Sequence, residues 1–306
     1  MIRHLALRLA LALPALWLVL TLVFLLIHIV PGDPVQQMLG EGARAEDLQQ
    51  LRHSLGLDQP LHVQYGKYLS GLVRGDWGQS FRFQLPVLQV VRQRYPATLE
   101  LACVSLLVCV AIGIPSGVLA AHRRGRAADR AVGIFTLFGL SVPNFALGPV
   151  LVLIFSIQLG LFPVSGRGSL LHLVLPALTL GAALAAILTR MVRTAMMEEL
   201  SSDYVRTARA KGLSESAVLF RHAFRNALIP IVTILGLQFG TLLAGTIVTE
   251  SIFAWPGVGR LAVQAIQARD YPLLQGCILF IALSYIVVNL LTDVVYALVD
   301  PRVRVT

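Results

Sequence analysis

Six stretches of this 306-residue chain carry no Asp, Glu, Lys or Arg, and each is long enough to cross a bilayer. They are 9–32, 101–122, 131–166, 168–189, 226–249 and 271–292. A hydrocarbon core of ~30 Å takes about 20 apolar residues of helix. A water-soluble core of this length cannot absorb so much apolar surface. Composition agrees: 13% of the residues are charged and 56% hydrophobic, against roughly 25% charged in soluble domains. The chain therefore reads as an all-α integral membrane protein with six transmembrane helices.

The runs are unequal. The third spans 36 residues and holds Pro143, Pro149 and Pro163. That is too long for one simple span and too short for two. It reads as a kinked helix over about 132–159, then an irregular apolar tail. The first run follows Arg3 and Arg8, as a signal peptide would. Its apolar part exceeds 20 residues, and Pro31-Gly32-Asp33-Pro34 follows in place of a small-residue cleavage site. It reads as a retained helix.

The formal charge is +9 and nearly all of the 25 basic residues are Arg. Such a bias fits nucleic acid or an anionic membrane face, and the apolar runs decide for the lipid bilayer and against nucleic acid. With the N-terminus inside, the short outside loops hold only Arg167, Arg260 and Arg269. The inside segments hold Arg123, Arg124, Arg126 and Arg130, a second cluster from Arg190 to Arg225, and Arg302 and Arg304. The positive-inside rule then places both termini in the cytosol. The domains follow: 1–30, an N-terminal transmembrane helix; 31–97, an outside segment with short helices; 98–299, a five-helix core including the cytosolic loop 194–229; and 300–306, a cytosolic tail.

In the outside segment, Leu61, Tyr65, Tyr68, Leu69, Leu72 and Val73 have helical spacing, with Gly75 as the stop. Leu48, Leu51 and Leu55 mark another short helix. The turn cluster Trp255-Pro256-Gly257-Val258-Gly259 reads either as an interfacial anchor or as a re-entrant turn lining a pathway.

The loop 194–229 says most. Ser201, Ser202 and Asp203 are helix-start residues, and a helix over about 204–211 follows. Gly212 suits the left-handed stop with Leu213 behind it. Ser214 then caps a second helix from Glu215 to about Ala227, and Pro230 opens the next span. The apolar strip Tyr204, Val205, Ala208, Leu213, Val218, Leu219 and Phe224 needs a cover. Either a partner supplies it or the loop packs back on its own membrane helices.

Asp203-Tyr204-Val205-Arg206-Thr207-Ala208-Arg209-Ala210-Lys211-Gly212-Leu213-Ser214, followed by Arg221-His222-Ala223-Phe224-Arg225-Asn226-Ala227-Leu228-Ile229-Pro230, resembles the coupling loop of binding-protein-dependent ABC importer permeases. The match is to the oligopeptide/dipeptide/nickel branch. It extends over the chain through Leu55-Gly56-Leu57-Asp58-Gln59-Pro60-Leu61, Gly75-Asp76-Trp77-Gly78, Pro96-Ala97-Thr98-Leu99 and Ser141-Val142-Pro143-Asn144-Phe145. It continues in Phe253 to Gly259, Arg269-Asp270-Tyr271-Pro272 and Asp300-Pro301-Arg302. The general coupling motif begins with Glu; Arg206 stands there in this chain, as is common in the peptide branch.

The resemblance implies a type I (MetI-like) importer transmembrane domain with one helix added before a five-helix core, in the bacterial cytoplasmic membrane. It implies a second permease subunit as partner, two cytosolic ATPases that carry ATP and Mg, and an external solute-binding protein. Cargo in this branch is a di- or oligopeptide, a nickel chelate, glutathione or an opine. The docking residues it implies are Tyr204, Arg206, Thr207, Ala208, Arg209, Lys211, Gly212, Leu213 and Ser214. Their physical logic is a rigid helical knob held at a glycine corner, which fits a partner's groove.

The chain has no P-loop, since Lys67 and Lys211 both lack the Gly-rich run before and the Ser or Thr after. The energy source, like any cofactor, is expected on the partners. Inside the spans, Asn144, Gln238, Glu250 and Asn289 are polar. Each lines a pathway or bonds a neighbouring helix. Gly113 with Gly117, and Gly236 with Gly240, have the spacing of close helix approach. The seven His and the three Cys, Cys103, Cys109 and Cys277, lack metal-ligand spacing. A channel or secondary transporter would show inverted repeats or mid-span charges, and a membrane enzyme a cluster of Asp, His or Cys at one face.

Overall fold

A computed structural model describes residues 2–29, 34–40, 42–54 and 56–299. The motif residues Pro31 to Asp33, Leu55 and Asp300 to Arg302, and the tail 300–306, lie outside these. The described residues form helices joined by loops, with one isolated bridge between Gln79 and Pro86.

The first span is α1 (Ile2–Ile29), whose described apolar stretch is Ala10–Leu25. Three short helices follow: α2 (Pro34–Leu39), α3 (Ala45–Ser54) and α4 (Leu61–Val73). α4 stops where expected. Gly75 has φ +80, its N–H donates to the Leu72 carbonyl, and the Asp76 N–H donates to the Gly71 carbonyl. That pair of bonds is the Schellman arrangement. Tyr65 bonds Thr21 at 2.6 Å, and Phe24 packs on the rings of Tyr65 and Tyr68. α4 is thereby strapped to α1.

α5 (Val87–His122) is 36 residues long, about 54 Å at 1.5 Å per residue. That exceeds the hydrocarbon thickness, so the helix carrying the second apolar run stands out of the bilayer by several turns. The third run is broken, where sequence spacing predicts a kink. α6 (Ala127–Ser141) ends before Pro143, and α7 (Asn144–Leu151) restarts at more than 40° to it. Residues before proline avoid the helical region, and Val142 is accordingly extended. α7 runs into a π-helical segment, Val152–Gln158. The irregular apolar tail follows as expected. α8 (Leu171–Leu200) is the fourth span.

The loop helices are α9 (Asp203–Ala210) and α10 (Glu215–Ala217). A π turn, Val218–Ala223, joins α10 to α11 (Phe224–Gly245). The expected stop near Ala227 is absent, and Pro230 lies inside α11. Loop helix and fifth span are one continuous helical rod from Glu215 to Leu243, apolar over its span. The chain closes with α12 (Ile247–Ile252), α13 (Val258–Gln267) and the sixth span, α14 (Tyr271–Val299).

α5 and α8 run parallel in close contact. A Cβ on Gly117 would meet Val192 at 2.6 Å and the Thr189 carbonyl at 2.7 Å, and one on Gly113 would meet Leu188 at 2.8 Å. Gly236 and Gly240 likewise bring α11 close to the antiparallel α14, where added Cβ atoms would meet Thr292 at 2.0 Å and Tyr285 at 3.0 Å. Both glycine pairs expected to sit at helix contacts do so. Leu107, Leu137, Phe138, Phe145 and Ile157 are left more than 60% exposed, which suits a chain whose surroundings are hydrocarbon.

Candidate functional site

The knob is built at the end of the bundle where α5 and α8 finish. Ser202 occupies the N-cap of α9 in an extended conformation, its hydroxyl donating to the Glu199 carbonyl at 2.6 Å. Asp203 sits in the first turn, where the helix dipole favours it. At the other end Gly212 has φ +77; its N–H donates to Arg209 O at 2.9 Å, and the Leu213 N–H donates to Ala208 O at 3.4 Å. The helix thus ends in the same Schellman arrangement as α4. Ser214 then caps α10, accepting from the Ala217 N–H.

The apolar strip is divided between two environments. Val205, Ala208, Val218 and Leu219 are buried in one cluster with Val118 of α5 and Val192 and Met196 of α8. Each buried Val or Leu here contributes roughly 1.5–3 kcal/mol, so the knob is anchored without a partner. Ala208 is therefore part of that anchor and not of the outward surface. Tyr204, Arg206, Thr207, Arg209, Lys211, Gly212, Leu213 and Ser214 all face outward and are exposed. Phe220 joins them at 61% exposure. It was not part of the expected strip, because the π turn rotates it away from its neighbours Val218 and Leu219.

Polar contacts stiffen the corner. Arg209 donates to both carboxylate oxygens of Glu215, at 2.7 and 3.3 Å, across the glycine. This contact holds the Arg209 guanidinium above its ordinary pKa. The Tyr204 hydroxyl donates to Glu199 at 2.5 Å, and burial followed by that bond pushes the phenol up. Arg206 meets Asp203 at 3.3 Å, but both side chains are almost fully solvated, so the pair is worth little. Arg206 and Lys211 are both solvated cations on the knob.

The opposite end is a second built joint. Glu250 is fully buried; its carboxylate accepts from Thr98 Oγ1 at 2.8 Å, Thr246 Oγ1 at 3.0 Å and the Arg260 N–H at 2.8 Å. Thr98 Oγ1 also accepts the Val258 N–H at 2.8 Å. Glu250 and Thr98 therefore cap α13 from outside that helix. Trp255, also fully buried, donates its indole N–H to the Ala97 carbonyl, and Arg167 lies over its ring while pairing with Glu100. Asp270 caps α14 through the Leu273 N–H and holds Ser80 and the Arg82 N–H. The motifs around Thr98, Trp255 and Asp270 thus meet in one packed joint.

This placement gives two of the four polar span residues helix partners. Glu250 is a buried helix cap. Gln238 is buried; it donates to the Leu184 carbonyl and accepts from the Cys109 thiol, which makes it a helix partner. Asn289 is half-buried beside Gly240. The Asn144 side chain lies outside the described residues. Among the described residues no group of His, Cys, Asp and Glu is arranged to hold a metal ion.

Residues 113–305 match the family described as the binding-protein-dependent transport system inner membrane component, and residues 1–102 match its N-terminal companion domain. The chain is 45% identical over 304 residues to the glutathione transport system permease protein GsiC of Escherichia coli K12, covering 99% of both chains. It is 44% identical, with the same coverage, to that of Salmonella paratyphi A. Its fold is similar to the inward-facing MetNI methionine ABC transporter, with TM-score 0.60 and 18% identity over 70% of this chain and 97% of that one. A second similar fold is an amino acid ABC transporter crystallised with histidines, at TM-score 0.53 and 16% identity over 70% of this chain and 94% of that one. The chain belongs to the family of binding-protein-dependent transport system inner membrane components, and is a multi-pass permease subunit of such an importer.

Proposed function

We propose that this subunit forms half of the pore of an ATP-driven importer, paired with a second permease, and that its knob receives a cytosolic ATPase. The observation that carries this is the continuity of the rod from Glu215 to Leu243 with a knob anchored on one face and bare on the other. Motion applied to Tyr204, Arg206, Lys211 and Leu213 crosses the Gly212 corner, which the Arg209–Glu215 pair braces, and enters the rod that becomes the fifth span. ATP and Mg belong to two ATPase subunits, and an external binding protein delivers cargo at the Trp255 end. Both termini are then cytosolic. The cargo is a short peptide; glutathione is the first to test, because it is what the 45% identical relatives are named for.

Deleting the gene and restoring it in trans tests both halves, with uptake of radiolabelled glutathione and of a labelled dipeptide as readouts. Deletion abolishes uptake of at least one cargo, and the wild type restores it. Gly212→Pro cannot take φ +77, so it inserts in the membrane but fails to restore uptake. Restored uptake with Gly212→Pro overturns the coupling role. Unchanged uptake of both cargoes on deletion overturns the cargo assignment alone.

A further inference from the structure

A groove of about 630 Å³ between α6 and α8 is used by neither the knob nor the outer joint. Its polar part is lined by Arg130, Arg190 and Arg193 and by a single carboxylate, Asp129. Asp129 is already committed. It holds Arg193 through two bonds at 2.7 and 2.9 Å and accepts the Gly125 N–H at 2.9 Å. Arg130 and Arg190 are exposed and form no ion pair among the described residues. Two positive charges are thus left over in one concave place.

One buried hydroxyl also borders the groove. Thr189 lines the same groove and is fully buried, and its Oγ1 has no hydrogen-bond partner. Buried hydroxyls are normally satisfied, so this one lacks an acceptor. Apart from Thr136, whose hydroxyl donates to the Gly133 carbonyl, the rest of the groove is apolar. Ile134 and Leu137 follow Arg130 at four and seven residues along α6, on the same face, and Leu140 continues the wall. A ligand that suits both parts has an anionic head and a hydrocarbon tail.

We propose that the α6–α8 groove binds an anionic glycerophospholipid. The phosphate lies between Arg130 and Arg190, and an acyl chain runs along Ile134, Leu137 and Leu140. Basic pockets between transmembrane helices at a membrane face bind such headgroups. Arg193 stays on Asp129 and fixes the spacing of α6 and α8. The inference depends neither on the cargo nor on which way round the chain sits.

The test is native mass spectrometry of the permease, purified with the subunits that accompany it, in the presence of phosphatidylglycerol, phosphatidylcholine or inorganic phosphate. The wild type retains phosphatidylglycerol over phosphatidylcholine. The double variant Arg130→Gln, Arg190→Gln loses that retention by about tenfold or more, while Arg123→Gln, Arg124→Gln, which removes the same charge outside the groove, keeps it. Both pairs are exposed, so neither double variant strips a buried contact. Equal retention of the two lipids, retention untouched in the Arg130 and Arg190 variant, or no retained lipid because a protein partner fills the groove overturns the proposal. Displacement of phosphatidylglycerol by inorganic phosphate assigns the groove to a free anion and overturns it too.

Discussion

Glu250 shows what a single buried charge does in this fold. Taking a carboxylate out of water costs several kcal/mol even after relaxation, and only donors aimed at it offset that cost. Thr98, Thr246 and the Arg260 N–H supply them. Gly257 leaves the room, since a Cβ there would lie 2.2 Å from the carboxylate. Replacing Glu250 by Gln preserves shape but puts an amide N–H₂ where an acceptor is needed. Gln then turns a donor toward either the two hydroxyls or the Arg260 N–H, stranding a buried group at about 1–3 kcal/mol. The expected outcome is a lowered Tm in detergent for Glu250→Gln, with Thr98→Ser, which keeps its hydroxyl, close to wild type. A Tm for Glu250→Gln equal to wild type would show that the cap is unimportant. The sequence marks Glu250 as polar at a span's end, and no more. Its partner Thr98 lies 152 residues away, so no local pattern reveals whether it faces water, a pathway or a helix terminus. Gly212 is the contrary case. Its left-handed stop depends on neighbours within four residues, and the spacing reveals it.

At the scale of elements, local signals again succeed and distant ones fail. The glycine pairs were legible because small residues at i and i+4 make one smooth helix face, and such a face has few uses in a membrane. The π turn at Val218–Ala223 was not legible. It answers to the register in which Val218, Leu219 and Ala223 pack on α8, and without it the rod would present another face. Pro230 misled for a related reason: proline ends a helix by default, but in a membrane helix its neighbours can absorb the lost bond. The close approach of α5 and α8 is open to measurement. Gly117→Ala drives a methyl into the Thr189 carbonyl and Val192, forcing backbone to shift at about 1–3 kcal/mol. Gly66→Ala in α4 has nothing within 4 Å and gains roughly 0.5–1 kcal/mol of helix preference. Thermal unfolding in detergent should separate the pair in opposite directions. If both variants melt alike, the α5–α8 contact is looser than its geometry.

At the scale of the whole molecule, the two joints sit at opposite ends of the bundle and are built differently. The joint around Trp255 and Glu250 is sealed, its polar groups bonded to one another across distant segments. The knob is sealed on one side only, with Tyr204, Lys211, Leu213 and Phe220 exposed. A closed end keeps its shape, and an open end waits for a partner that can move it. This asymmetry fits the proposed orientation, with basic residues concentrated at the knob end as the positive-inside rule demands. Thiol labelling tests it directly. Cys109 and Cys277 are buried and Cys103 faces outward from the second span, so a membrane-impermeant maleimide should give little background in intact cells. Ser165→Cys, on the exposed tail beside the Trp255 joint, should label in intact cells. Lys211→Cys should label only after the membrane is permeabilised. The reverse pattern would turn the molecule over, and would move the knob to the side where no ATPase can reach it.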